Sequence, residues 1–360
     1  MVALASVIDP EIRRPITELD MVDTVEVSDT GQVYIRILLT VAGCPLRDTL
    51  EQLIGNAVGA IKGVSELQVE LGAMSPEQRG ALMTRLRGVA QANNPFTQPD
   101  CDTTVLAIAS GKGGVGKSSV TVNLAVALAK SGFRVGLLDA DIYGHSVPDM
   151  LGIGAQQPNV VEGTIMPVPA YGVAVMSIAM MKEHRSQVIA WRGPMLDRAL
   201  QQFLSDVYWG ELDFLLVDLP PGTGDIAMSV ANLLPTSQVI VVTTPQVAAA
   251  EVAERAGTMA YMLKQDVIGV VENMSWLTTT CSHCGATERH ELFGAGGGAA
   301  VAAALTTRFN HPVPLLSQIP IDLGLRAGGD TGSPIVLTEA DHPAALAIQA
   351  LVTQIAALRA

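Results

Sequence analysis

The sequence predicts an α/β protein: a parallel sheet covered by helices, preceded by a small α+β domain. Two observations carry this. From Val105 onward, short apolar runs (TVLAIAS, RVGLLDA, VAVMSIA, FLLVDLP, QVIVVTT, VIGVVEN, VPLLSQIP) alternate with helical stretches, the pattern of parallel strands joined by crossover helices. Before residue 85 the pattern is different. Two alternating strands, VDTVEVS and QVYIRILLT, meet at the turn Asp29-Thr30-Gly31.

Residues 1–85 read as the small domain: an apolar helix at the start, the two strands, a helix from Leu46, and a strand VSELQVEL. Ser75-Pro76-Glu77-Gln78 marks a further helix start, with Ser75 as cap, Pro76 at the first position and Gln78 reaching back. Residues 86–103 are the linker, because QANNPFTQPDCDTT is polar, Pro-bearing and aperiodic. Residues 104–360 form the large domain. Within it, Gly294 to Gly298 read as a helix opening at a close backbone contact.

A chain of 360 residues accommodates a large core and a second unit. Low charge, 4% aromatic residues and 34 glycines suit a soluble protein rich in strand-helix turns. The start, MVALASVIDPEIRRP, has too short an apolar run for a signal peptide, and no stretch offers the roughly 18 apolar residues of a membrane span. A cytoplasmic protein is expected. The net charge of −13 opposes tight binding to nucleic acid or anionic lipid. Four cysteines are too few for a disulfide framework in a chain this long.

The strongest motif is SGKGGVGKSS, which meets GxxxxGK[ST] from Gly111 to Ser118 between a strand and the helical run VTVNLAVALAK. Around Gly111, Gly113, Gly114, Val115, Gly116 and Ser119, backbone N–H groups can wrap a phosphate; Lys117 meets the outer phosphates and Ser118 can ligate magnesium. ATP and Mg2+ are the expected ligands. Asp139 and Asp141 in LLDADIYG are placed to hold a magnesium-bound water or orient an attacking one. Asp218 in FLLVDLPPGTGD is the expected Walker B carboxylate, followed by a Pro and Gly segment able to move with the γ-phosphate. Lys112 has no role in gripping phosphate within one chain. GKGGVGKSS resembles the deviant Walker A loop of the dimeric ATPases that include MinD, ParA and the nitrogenase iron protein. That resemblance implies that Lys112 crosses a two-fold interface to the partner's nucleotide.

TTTCSHCG holds Cys281 and Cys284 at metal-ligand spacing. Four readings meet here: a redox pair, a zinc site recruiting His283 or His290, buried thiols, or a cluster shared by two chains. A redox CxxC belongs at a helix start after an early strand, and a zinc site wants a second ligand pair about ten to twenty residues away, which is missing. Iron-sulfur clusters generally take four cysteines, which two copies of the chain supply, and Lys112 independently asks for such a dimer.

Over almost its full length the chain resembles the Mrp/ApbC-type iron-sulfur cluster carrier ATPases. The matching segments are SGKGGVGKSS, DADIYG, WRGPML (191–196), DLPPGTGD, VENMS, CSHCG, FGAGGG and IPID; residues 1–85, with LTVAGCPLRD, resemble a small domain found in other iron-sulfur assembly factors. The resemblance implies a homodimeric ATP hydrolase of slow turnover. It would bind a [4Fe-4S] cluster through Cys281 and Cys284, take it from a donor and deliver it to apo-proteins. Asn273 in VENMS would read adenine, and Cys44 would contribute to cluster handling unless it is simply a small residue before Pro45. The chain departs from the family pattern at His145, where proline is usual, and at CSHCG in place of CPxCG. Cys101, His184, His311 and His342 are assigned no role. Two alternatives stay open: a positioning or partitioning ATPase of the MinD or ParA kind, against which the tail HPAALAIQALVTQIAALRA has Arg359 as its only lysine or arginine, and a zinc-bridged scaffold dimer.

Overall fold

The computed structural model describes residues 1–41, 46–87, 94–141, 144, 146–181 and 193–359. Cys44, His145, His184, residues 88–93 of the predicted linker and the first two residues of WRGPML lie outside them. The chain divides into two compact units: Met1–Asn93 with Pro158–Pro167 and Ser205–Gly210, and Asn94–Gln157 with Val168–Leu204 and Glu211–Ala360.

In the first unit, β1 (Val22–Val27) and β2 (Gln32–Leu39) are antiparallel, and β3 (Glu66–Ala73) runs parallel to β2. The crossover helix Arg47–Gly59 buries Leu50, Ile54 and Val58, one residue per turn of a single face. At Ser75 the capping box forms as read: the Ser75 N–H donates to Gln78 Oε1 at 2.8 Å, and the Gln78 N–H donates to Ser75 Oγ at 3.2 Å. The expected N-terminal helix does not form. A single 3-10 turn, Leu4–Ser6, is followed by turns, with Asp9 Oδ1 accepting from the N–H groups of Glu11 and Ile12 at 2.9 and 2.8 Å. Pro10 and Pro15 explain this, since each disfavours helical backbone in the residue before it and removes a donor. The apolar residues Leu4, Val7, Ile12, Ile16 and Leu19 are nonetheless buried, so their pattern reported the core and not the helix.

Two short segments of the later chain complete this unit. β6 (Val160–Val161) and β7 (Thr164–Ile165) form a hairpin, Ile165 bridges to Val207, and Val161, Met166 and Tyr208 share a core with Ile35, Ile54 and Leu71. Asn159 Nδ2 donates to Glu11 Oε1 at 2.5 Å, and burial pushes the Glu11 carboxyl up to about 7.

In the second unit the strands are β4 (Thr104–Ser110), β5 (Val135–Asp139), β8 (Val168–Ala170), β9 (Val173–Ser177), β10 (Phe214–Asp218), β11 (Gln238–Thr243), β12 (Asp266–Thr280), β13 (Thr287–His290) and β14 (Leu315–Ile321). They lie in the order β13-β12-β11-β4-β10-β5-β9-β8, with β14 also against β12. All neighbours are parallel except the edge pairs β8 with β9 and β12 with β13. Helices Lys117–Lys130 and Pro343–Ala356 share a core with the sheet, where Leu124, Leu128, Ile348 and Leu351 meet Leu106, Leu137, Phe214 and Leu216. Helix Gly297–Phe309 opens at the glycine run. A Cβ on Gly297 would stand 2.5 Å from the Pro245 carbonyl oxygen, the close backbone contact read from FGAGGG. Because the central strands are parallel, the loops after β4, β5, β10 and β11 leave the same edge of the sheet, and the candidate site forms there.

Met166 is 1% exposed in the first unit's core. Met166→Ala is expected to lower the unfolding free energy by about 2–5 kcal/mol, read from the denaturant midpoint. A loss within the few tenths typical of surface sites would show that residues 158–167 are not part of that core.

Candidate functional site

The loop after β4 turns back through Gly114 and Gly116, both left-handed with φ of 82° and 79°, and helix Lys117–Lys130 begins at once. A Cβ on Gly116 would collide with the side chain of Asn273, whose Nδ2 donates to the Val115 carbonyl at 2.9 Å. A cavity of about 600 Å³ opens over this loop, with Asp141, Leu196, Pro221 and Asp225 on its other walls. A neighbouring cavity of about 850 Å³ shares Gly116, Ser119, Ser146 and Met150 with it and continues past Asn273, Met274, Ile321 and Leu325.

Asp218, at the end of β10, is entirely buried. Its charge is met by Lys117 Nζ at 2.7 Å and by hydroxyl donors, Ser118 Oγ at 2.6 Å and Thr121 Oγ1 at 2.7 Å. Lys117 is 5% exposed; its Nζ donates to Ser118 Oγ at 3.2 Å and lies 3.9 Å from Asp141 Oδ2. Strand register sets Asp139 beside both Asp218 and Ser177. Burial, and next the charge of Asp218, push the Asp139 carboxyl up to about 8, so it keeps its proton at neutral pH. It accepts from Ser177 Oγ at 2.8 Å and from the Asp141 N–H at 3.1 Å. Asp141 itself faces the cavity and accepts from the Gly144 N–H at 2.9 Å.

The left-handed glycines, the helix N-terminus, the lysine and the cavity above them fit a nucleotide phosphate chain. A serine hydroxyl and two carboxylates nearby are the hard oxygen donors that suit Mg2+. Lys112 reaches Gln246 Oε1 at 3.1 Å, on the residue that caps helix Val247–Met262. Asn273 is placed against the loop backbone and along the second cavity.

Cys281 and Cys284 stand outside this pocket, in the turn between β12 and β13. The turn is closed by the Cys281 N–H donating to the Ala286 carbonyl at 2.8 Å and the Gly285 N–H donating to the Cys281 carbonyl at 2.9 Å. Both thiols are exposed. The backbone N–H groups of Cys284 and then His283 pull the Cys281 thiol below its ordinary range, which favours the thiolate that binds soft metals. The hairpin is braced by the Arg289 guanidinium 3.6 Å over the Trp276 ring and by Thr279 Oγ1 at 2.8 Å from His290 Nε2. Among the described residues no third Cys, His or carboxylate joins the two thiols; the one three-residue grouping of such atoms is Asp322, Glu339 and His342, where Asp322 also caps the following helix.

The family description "NUBPL iron-transfer P-loop NTPase" matches residues 102–356, and "iron-sulfur cluster assembly protein" matches residues 1–71. The chain belongs to this family of P-loop NTPases. It is 53% identical to a Mycobacterium tuberculosis protein named iron-sulfur cluster carrier protein, over 94% of this chain and 87% of that one. A Bacillus subtilis protein of the same name is 40% identical over 87% and 84% of the two chains. A nucleotide-binding protein from Archaeoglobus fulgidus, solved in complex with ADP, is 36% identical with a TM-score of 0.53, covering 68% of this chain and 90% of that one. The septum site-determining protein MinD of Pyrococcus horikoshii, at 23% identity and a TM-score of 0.51 over 72% and 99%, shares the fold.

Sequence reading did not find Thr121, Ser177 or Gln246. Thr121 had a signal, since it lies four residues after Lys117 on the same helical face. Ser177 ends β9 as Asp139 ends β5, so strand counting would have paired them. Gln246 carried no signal.

The Asp139 carboxyl keeps its proton in the folded chain up to about pH 8 and loses it near 3.8 when unfolded. Between those values the unfolded chain binds fewer protons, so stability falls as pH rises. Asp139→Asn, without nucleotide, is expected to flatten that decline in urea unfolding measured from pH 5 to 8. An unchanged slope would mean that Asp139 is ionised in the native protein.

Proposed function

We propose that the protein is an ATP-hydrolysing carrier that holds a [4Fe-4S] cluster between two copies of the chain and passes it to apo-proteins. The observation that supports this most is the pairing, in one chain, of a complete phosphate loop with two exposed cysteine thiols that have no third ligand nearby among the described residues. Two such pairs related by a two-fold axis supply the four thiolates a cubane cluster takes. The relatives named iron-sulfur cluster carrier protein favour that cargo over zinc.

For ATP, the N–H groups from Gly111 through Ser119 cradle the phosphates, and Lys117 exchanges its contact with Asp218 for the outer phosphates. Ser118 and Asp218 hold Mg2+, which when bound neutralises charge developing on the phosphate oxygens. Asp141 orients the attacking water. Asp139, protonated and pinned by Ser177, fixes the Asp141 backbone. Asn273 lines the cavity for the base, and Lys112 leaves Gln246 to reach the partner's nucleotide. Donor and acceptor proteins are recognised as proteins, since the acidic chain is ill suited to nucleic acid or anionic membranes.

Anaerobic reconstitution is expected to give about four iron and four sulfide per dimer, and Cys281→Ala to lose both. Zinc without sulfide, or a full cluster in Cys281→Ala, overturns the cargo assignment.

Nucleotide titration and turnover separate the two lysines. Lys117→Ala is expected to lose binding, whereas Lys112→Ala keeps binding and loses hydrolysis by about 10³-fold or more. Normal turnover in Lys112→Ala removes the role across the interface.

A further inference from the structure

Both sites of the second unit are attached to one strand, β12. Three consecutive residues near its middle each do something different. Glu272 Oε2 accepts from the Gly298 N–H at 2.6 Å and holds the start of helix Gly297–Phe309. Asn273, 2% exposed, holds the phosphate loop through Val115, and its buried Oδ1 has no hydrogen-bond partner among the described residues. Met274 takes left-handed backbone at φ 57°, which a residue with a long side chain adopts only when its surroundings impose it. The pairing of β12 with β14 shifts register over the same stretch, between Asn273 and Leu277. Beyond this joint the strand pairs regularly again. Trp276 packs under Arg289, Leu277 to Thr280 pair with β13, and Cys281 is the first residue past the strand's end.

We infer that Asn273 is a positioning residue that ties the phosphate loop to the CxxC hairpin, so that nucleotide on the loop resets Cys281 and Cys284 within the same protomer. The lever is local. A phosphate seated on the loop's N–H groups fixes the orientation of the Val115 peptide, whose carbonyl is what Asn273 holds. Any displacement of Asn273 acts directly on the left-handed joint at Met274. Among the described residues the Val115 carbonyl is the one hydrogen-bond partner of the Asn273 side chain, so that bond is the amide's polar link to the loop. The inference rests on the proposed reading in that both sites serve one cycle, but its readout requires no cluster.

The test uses the full chain with Cys44→Ser and Cys101→Ser, so that a chromogenic disulfide reagent reports Cys281 and Cys284 alone. Reaction rates are compared without nucleotide, with Mg-ADP, and with a non-hydrolysable Mg-ATP analogue, each at two protein concentrations. The expected result is a nucleotide-dependent rate change of about fivefold or more, independent of protein concentration, that falls to near unity in Asn273→Ala at nucleotide concentrations that titration shows to saturate that variant. Persistence of the effect in Asn273→Ala, its absence from the parent chain, or its scaling with protein concentration overturns the inference. Should Asn273→Ala fail to fold or to bind nucleotide, hydrogen exchange of the unsubstituted protein decides: nucleotide is expected to change protection across residues 274–290, and unchanged protection there overturns it. Zinc in place of a cluster would sink the cargo assignment and leave these readouts intact.

Discussion

Asp218 has no surface in contact with water, so its negative charge must be met inside the protein. One helix supplies what it needs: Lys117, Ser118 and Thr121 all reach it from the first turns of Lys117–Lys130. That requires the helix to start where it does, which in turn requires the sharp left-handed turn at Gly116. The same turn leaves room for Asn273 underneath. The shape of the phosphate loop is therefore held by a buried ion pair before any phosphate arrives. Removing Lys117 alone would strand a charge at the centre of the sheet.

The neighbouring carboxyl shows the other solution to the same problem. Asp139 sits beside Asp218 in register, and one lysine does not neutralise two buried acids. It stays protonated, with the Ser177 hydroxyl and the Asp141 N–H satisfying its oxygens. Two aspartates that look alike as strand-end acids thus meet different surroundings: Asp218 pairs with Lys117 at 2.7 Å, whereas burial and the neighbouring Asp218 push the Asp139 carboxyl up. Of these strand-end acids Asp141 lines the cavity, together with Asp225 from the opposite wall, and the Asp141 backbone is anchored by the neutral Asp139.

How much of this was legible in the sequence depended on whether a feature was set by local pattern or by distant packing. The phosphate loop was legible because its glycines, lysine and serine answer to one local geometry between a strand and a helix. The acids were legible as strand ends, but their protonation was not, since it follows from which strands become neighbours. The N-terminal apolar stretch was misread as a helix because burial alone was weighed, and Pro10 and Pro15 were not. The parts played by Pro158–Pro167 and Ser205–Gly210 in the first unit could not be read from order along the chain. Val161, Met166 and Tyr208 look like ordinary core residues until the fold shows which core they enter.

The CxxC pair was legible as metal-ligand spacing, and the lack of a second pair was legible too; what the fold adds is the way the turn is carried. Along β12 the residues from Val267 to Asn273 are almost all buried, and those from Thr278 onward are exposed. A strand of this kind joins two environments with opposite requirements. Phosphate chemistry depends on a dry, low-dielectric pocket in which lysine and carboxylates act strongly. In the proposed carrier, a metal cargo that is to be passed on depends on ligands that another protein can reach. Burying the thiols would protect the metal and prevent its transfer, whereas exposing the loop would weaken every contact around Asp218. Extending β12 beyond its parallel neighbours and turning it back as a hairpin with β13 meets both requirements with one continuous piece of backbone.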